Sequence, residues 1–131
     1  MMRQLRSMAS VCLLMAMTLA VGCATPMTSE LPGENVTYTR QATQGDVRAD
    51  VDSVIEAAES VMALMQMDIG EVELREGAHV LPGRTSTGRM VRITVFPYED
   101  EQTSQLRVRI GSFGDQQLSN ELYRRIVNRL E

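Results

Sequence analysis

Two runs of alternating character, residues 90–98 and 105–110, constrain the fold more than any other feature of this 131-residue chain. In the first, Val91, Ile93 and Val95 are separated by Arg92 and Thr94. In the second, Leu106, Val108 and Ile110 are separated by Arg107 and Arg109. A period of two marks strands with one face buried. The polar loop 99–104 between them makes an antiparallel hairpin. Pairing Tyr98 with Gln105 sets Val95 against Val108 and Ile93 against Ile110, so the apolar residues fall together. The same register puts Phe96 opposite Arg107 and Thr94 opposite Arg109 on the other face. A sheet built on this hairpin has one face for a core and another, carrying Arg92, Phe96, Arg107 and Arg109, for solvent or a partner.

Upstream, Val47, Val51, Val54, Ile55, Ala58, Val61, Met62 and Met65 recur at spacings of three and four. This predicts an amphipathic helix over 46–67. Asp46, Asp50 and Asp52 complement its N-terminal dipole, and Gly70 follows its expected end. A second helix is expected over 116–130, with Leu118, Leu122, Ile126 and Leu130 in a narrow row. Asp115 would be its N-cap, and Arg124, Arg125 and Arg129 would sit in its final turns.

The expected first strand is Val36-Thr37-Tyr38-Thr39-Arg40, and Thr43-Gln44-Gly45-Asp46 reads as the turn into the first helix. Residues 71–75 alternate, with Val72 and Leu74 inward. Residues 80–85 contain Pro82 and Gly83, which suit an edge or a bulge. Ser86-Thr87-Gly88-Arg89 then turns the chain into 90–98. The order β-α-β-β-β-β-α implies a two-layer α+β domain: an antiparallel sheet of four to five strands with both helices on one face.

The first 22 residues differ in character. Arg3 and Arg6 precede an apolar run over 11–21, which is shorter than the roughly 18 residues a membrane-spanning helix needs. The pattern is that of a secretory signal. Leu19-Ala20-Val21-Gly22-Cys23 closes it and resembles the lipobox of bacterial lipoproteins. The resemblance implies cleavage before Cys23 and acylation of that residue, with diacylglycerol and an N-acyl chain such as palmitate. Several chains anchor stably where one does not. Ala24 after the cysteine is similar to lipoproteins sorted to the outer membrane of Gram-negative bacteria. An ordinary secretory signal cleaved nearby, with Cys23 free, is the alternative. Residues 23–35 are rich in Thr, Pro, Ser, Gly and Glu and read as a flexible tether. Residues 36–131 then form a single domain.

From Cys23 onward 109 residues remain, enough for one modest core. Cys12 lies in the leader and Cys23 would be acylated, so no disulfide is available and packing must supply stability. The chain has no lysine. Beyond the leader, 11 arginines face 17 acids and leave six net negative charges. That balance argues against non-specific nucleic-acid binding.

The C-terminal third, Leu106-Arg-Val-Arg-Ile-Gly-Ser-Phe-Gly-Asp115 running into Leu118 and Leu122-Tyr123-x-x-Ile126, resembles an uncharacterised family of small proteobacterial outer-membrane lipoproteins. These combine a lipobox, an amphipathic first helix, a glycine-turned hairpin (here Gly88) and a Gly-x-Phe-Gly-Asp corner before the last helix. The likeness covers roughly 38–130 plus the lipobox and departs from the pattern between 78 and 88. It implies a fold and an address but no activity. The order of elements is also similar to helix-grip domains in lipoproteins of the outer-membrane assembly machinery, a likeness of fold alone.

Candidate sites are few. The corner Gly111, Phe113, Gly114 and Asp115 could cradle an anion at a helix N-terminus, but Asp115 already places a carboxylate there. It reads as structural, with glycines for unusual backbone angles, Phe113 plugging the core and Asp115 capping. Met62, Met65 and Met67 carry soft sulfur suited to Cu(I), yet Met62 and Met65 fall in the apolar stripe, where Met is core filler. His79 has no second histidine or free cysteine to complete a metal site and is expected in a solvated loop. Glu99-Asp100-Glu101 reads as a solvated hairpin tip. No Ser-His-Asp arrangement can be assembled, and no catalytic residue, cofactor or metal is expected.

The outward face with Arg92, Phe96, Arg107 and Arg109 remains. Arginine pairs bidentately with carboxylates and phosphates, so this face suits an envelope protein, lipopolysaccharide or an anionic lipid. Cross-strand pairing with Glu71 and Glu73 would neutralise it instead. The expected protein is a non-enzymatic, lipid-anchored, periplasm-facing binding or assembly accessory. The alternative is a periplasmic small-ligand binder or enzyme with a pocket between helices and sheet.

Overall fold

The computed structural model describes residues 31–131. The leader, the lipobox with Cys23 and most of the expected tether lie outside the described residues. The chain forms β1 (Glu34–Thr39), β2 (Ala42–Val47), α1 (Val51–Leu64), β3 (Asp68–Ile69), β4 (Glu73–Arg75), β5 (Ala78–Arg84), β6 (Met90–Pro97), β7 (Ser104–Ile110) and α2 (Gln116–Leu130). All strands join one antiparallel sheet ordered β1-β2-β7-β6-β5-β3, with β4 also pairing β5. The class is α+β, as the sequence periodicities imply, with seven strands rather than four to five.

The hairpin of β6 and β7 forms the centre. Val91, Ile93, Val95, Leu106, Val108 and Ile110 are fully buried on the face where both helices pack, against the sheet and against each other. The observed partners are Val91–Ile110, Ile93–Val108 and Val95–Leu106. This corrects the pairing of Val95 with Val108 by a slip of two residues. A two-residue slip leaves every side chain on its own face, so apolar alternation does not separate the two registers. The turn does. The Tyr98 N–H donates to Thr103 O at 3.0 Å and the Glu101 N–H to Tyr98 O at 2.9 Å. The Asp100 carboxylate accepts from the Gln102 and Thr103 N–H groups, each at 3.0 Å, and from the Thr103 hydroxyl at 2.9 Å. With the turn closed this way, Pro97 faces Ser104, Phe96 faces Gln105, Thr94 faces Arg107 and Arg92 faces Arg109.

Residues 42–47 depart furthest from the sequence reading. They form β2 instead of a turn and helix start, and α1 begins at Val51 with Asp50 in the N-cap position. Ala-Thr-Gln-Gly-Asp-Val has turn chemistry and no apolar alternation. Yet β2 is an interior strand between β1 and β7, and the packing above it requires small residues. Tyr123 of α2 is fully buried. A Cβ on Gly45 would overlap the Tyr123 hydroxyl and come within 2.8 Å of Val36 Cγ2. The Thr43 hydroxyl donates to Asn120 Oδ1 at 2.5 Å, fastening α2 to the strand. The Ser104 hydroxyl donates to Ala49 O at 2.8 Å, fastening the approach to α1.

The strand expected over 71–75 is shortened to β4, and a further short strand, β3, precedes it; both pair with β5. Val72 and Leu74 alternate as expected but stay outside the core, Leu74 being 69% exposed. They lie at the margin of the sheet, where β4 packs mainly on β5. β5 is an interior strand, not an edge, and Pro82 fits it for a positional reason. The Pro82 carbonyl accepts from the Gly70 N–H at 2.8 Å, so it faces the β3 side. N–H and C=O of one residue point the same way in an antiparallel strand, and the donor that proline lacks falls where the neighbour changes from β4 to β3.

Three buried polar atoms have no partner among the described residues, His79 Nδ1, Ser119 Oγ and the Tyr123 hydroxyl, and the last lies above Gly45. Gly45→Ala is expected to lower stability by about 1–3 kcal/mol through overpacking. Tyr123→Phe, which removes an unsatisfied hydroxyl, should be neutral or stabilising. The double variant should recover part of the Gly45→Ala loss. Urea unfolding of the four proteins reads all three outcomes.

Candidate functional site

The structure brings Arg92, Phe96, Arg107 and Arg109 together on the face turned away from the helices. Arg92 is exposed and the other three are half-buried. The corrected register sets Arg92 directly across from Arg109, with Arg107 two residues along β7 from Arg109. The Arg109 guanidinium is held in place: Nη2 donates to Gln41 Oε1 at 2.8 Å and to Ser112 O at 2.7 Å.

Cross-strand neutralisation by Glu71 or Glu73 does not form. Glu73 pairs with Arg75 of its own strand at 3.2 Å. β4 also stands three strand spacings from β7, about 14 Å. The other ion pairs among the described residues are Arg48–Glu34, Arg89–Asp115, Arg124–Glu121 and Arg125–Glu121. Arg92, Arg107 and Arg109 take part in none. A shallow cavity of about 190 Å³ opens beside the arginine pair, lined by Met90, Arg92, Arg109, Gly111 and Ser112.

The opposite end of the same face is acidic. Asp46 accepts from the Tyr98 hydroxyl through Oδ1 and from Asn35 Nδ2 through Oδ2 at 2.9 Å. This bond to the Asp46 carboxylate pushes the Tyr98 hydroxyl above its ordinary range. Glu34 and the 99–101 acids lie at this end as well. Sequence reading missed this polarity because it left β2, and with it Asp46, out of the sheet.

The corner after β7 is structural, but not in the expected way. Asp115 caps α2: its carboxylate accepts from the Leu118 N–H at 2.9 Å and from Arg89 Nη1 at 2.7 Å. The Leu118 bond first and Arg89 second hold its carboxyl below the usual range. Gly114 has φ +81°, and a Cβ there would lie 2.6 Å from the Tyr38 hydroxyl and 2.5 Å from Gln41 Cβ. Backbone, not an aromatic ring, therefore fills this contact. Phe113 does not plug the core. It is 86% exposed, one residue along the chain from Ser112, which lines the arginine-bearing cavity.

The remaining candidates resolve simply. Met62 and Met67 are buried and Met65 packs against the core. His79 lies in β5 instead of a solvated loop, because that strand begins at Ala78; its Nδ1 is buried without a partner among the described residues. Asp100 is committed to its own turn. No three His, Cys, Asp or Glu side chains converge as a metal-ligand set among the described residues. Apolar side chains from α1, α2, β6 and β7 occupy the space between helices and sheet.

Fold and site thus define a two-layer α+β domain with an open, arginine-bearing sheet face. Residues 7–129 match the family described as Protein of unknown function (DUF3568), and the chain belongs to that family. No curated protein matches it.

Two substitutions test the corner. Phe113→Ser should leave stability within about 0.5 kcal/mol, as surface changes do, whereas loss of a core phenylalanine costs about 3–5 kcal/mol. Asp115→Ala should cost about 1 kcal/mol by removing the cap. A carboxylate with a depressed folded pKa stabilises above its unfolded value, and that contribution is lost as pH falls through the folded one. Thermal unfolding across the acid range should therefore show a smaller acid-induced loss for Asp115→Ala than for the parent.

Proposed function

We propose that this protein is a non-enzymatic lipoprotein of the proteobacterial cell envelope. Its lipid is carried on Cys23, and the domain faces the periplasm, anchored in the outer membrane, as a binding or assembly accessory. The single observation that carries the binding role is the outward sheet face, where Arg92, Arg107 and Arg109 have no carboxylate partner among the described residues. Arginines left without an internal carboxylate, beside the half-buried Phe96, are among the residue types enriched where partners bind. The apolar filling between the layers supports a role at the surface over one in an internal pocket. The lipobox-like Leu19-Ala20-Val21-Gly22-Cys23 supports the address.

Intact-mass analysis of protein from its native membrane should find Cys23 at the N-terminus with acyl chains attached; an unmodified sulfur contradicts the anchor. Replacing Arg92, Arg107 and Arg109 together with Glu should abolish recovery of cross-linked envelope neighbours while leaving the circular dichroism spectrum unchanged. Unaltered recovery contradicts the assignment of the face.

A further inference from the structure

We infer that the Arg92–Arg109 end of the sheet is a phosphate-binding site for the headgroup of an anionic phospholipid, with Phe113 as its apolar contact. The inference rests on the proposed envelope address for its lipid source, and its test does not depend on the acylation of Cys23.

Gly111 N–H donates to Met90 O at 2.8 Å, so even-numbered residues of β6 turn their backbone groups toward β7. Arg92 and Arg109 therefore form a hydrogen-bonded cross-strand pair, with Cα atoms about 5.5 Å apart. Like charges directly opposite one another are unfavourable unless an anion lies between them. The nearby carboxylates are otherwise placed. Asp115 is held by Arg89 and the Leu118 N–H, and Asp68 stands opposite Arg84 on the far side of β5.

Arg109 is already oriented through one nitrogen, by Gln41 and Ser112. Its remaining donors stay available, so little ordering is needed on binding. The site is concave, and an arginine fork matches phosphate oxygens.

The apolar neighbours select an amphiphile over a free ion. Met90 is 53% and Phe113 86% exposed, and exposed apolar side chains of this size can enter the boundary between headgroups and acyl chains. Reach is sufficient. Leu31 already packs against the core. From Cys23 to Leu31 the chain spans at most about 27 Å, more than the roughly 20 Å length of β1. An anchored domain can therefore bring this end down to the membrane surface.

The test is a calorimetric titration of the full-length chain in maltoside micelles, which contain no phosphate. The probes are dihexanoyl phosphatidylglycerol and inorganic phosphate. The lipid should bind saturably at one site, with affinity falling about tenfold in Arg92→Gln and again in Arg109→Gln. Phe113→Ser should weaken lipid binding about tenfold and leave phosphate binding unchanged. No saturable lipid binding overturns the proposal, as does binding indifferent to both arginine variants. Inorganic phosphate that binds as tightly as the lipid, or lipid binding indifferent to Phe113→Ser, overturns the lipid source. A negative titration with an acylated Cys23 would leave the envelope reading standing.

Discussion

The rest of the structure depends on the pairing of β6 with β7. Their inward row, Val91, Ile93 and Val95 against Ile110, Val108 and Leu106, is fully buried and receives both helices. Each such side chain contributes on the order of 1.5–3 kcal/mol when buried, an upper bound given a compact unfolded chain. The same pairing sets Arg92 against Arg109 on the outside, where opposed like charges cost only about 0.2–1 kcal/mol. The inward row wins by a wide margin, so the core fixes which side chains face outward, the Asp100 turn fixes the register, and the outward face carries the charges that result.

The sheet is electrically lopsided as a consequence. Glu34, Asp46 and the 99–101 loop, with Arg48 paired to Glu34, lie at the end where the chain enters the fold. Arg40, Arg84, Arg89, Arg92 and Arg109 lie at the other, against Asp68 and Asp115. A net negative protein of this kind can still present a positive surface, because separated charges act locally within a screening length of about 8–10 Å. Net charge describes the whole chain and says nothing of one end of one face.

The sequence shows plainly whatever is governed by periodicity. The helix α2 with its Asp115 cap, the alternation of β6 and β7, and the outward placement of Arg92, Phe96, Arg107 and Arg109 all follow from spacing and capping chemistry. β2 is not legible, because its small residues answer to Tyr123, which lies 78 positions beyond Gly45. The two-residue slip is not legible either, since both registers bury the same side chains and Asp100 decides between them from within the turn. Phe113 misleads by its type. Large apolar residues are usually interior, but this one stands on the turn before α2 and is exposed. The arginine pair was visible as two residues but not as a pair.

The register is therefore the claim on which core and face both turn, and cross-strand nuclear Overhauser contacts test it directly. Odd-numbered residues of β6 form the non-hydrogen-bonded pairs with β7, where Cα atoms approach to about 4.5 Å. A strong Hα–Hα contact between Ile93 and Val108 is the result this account predicts. A strong contact between Ile93 and Ile110 instead would separate Arg92 from Arg109 and contradict it.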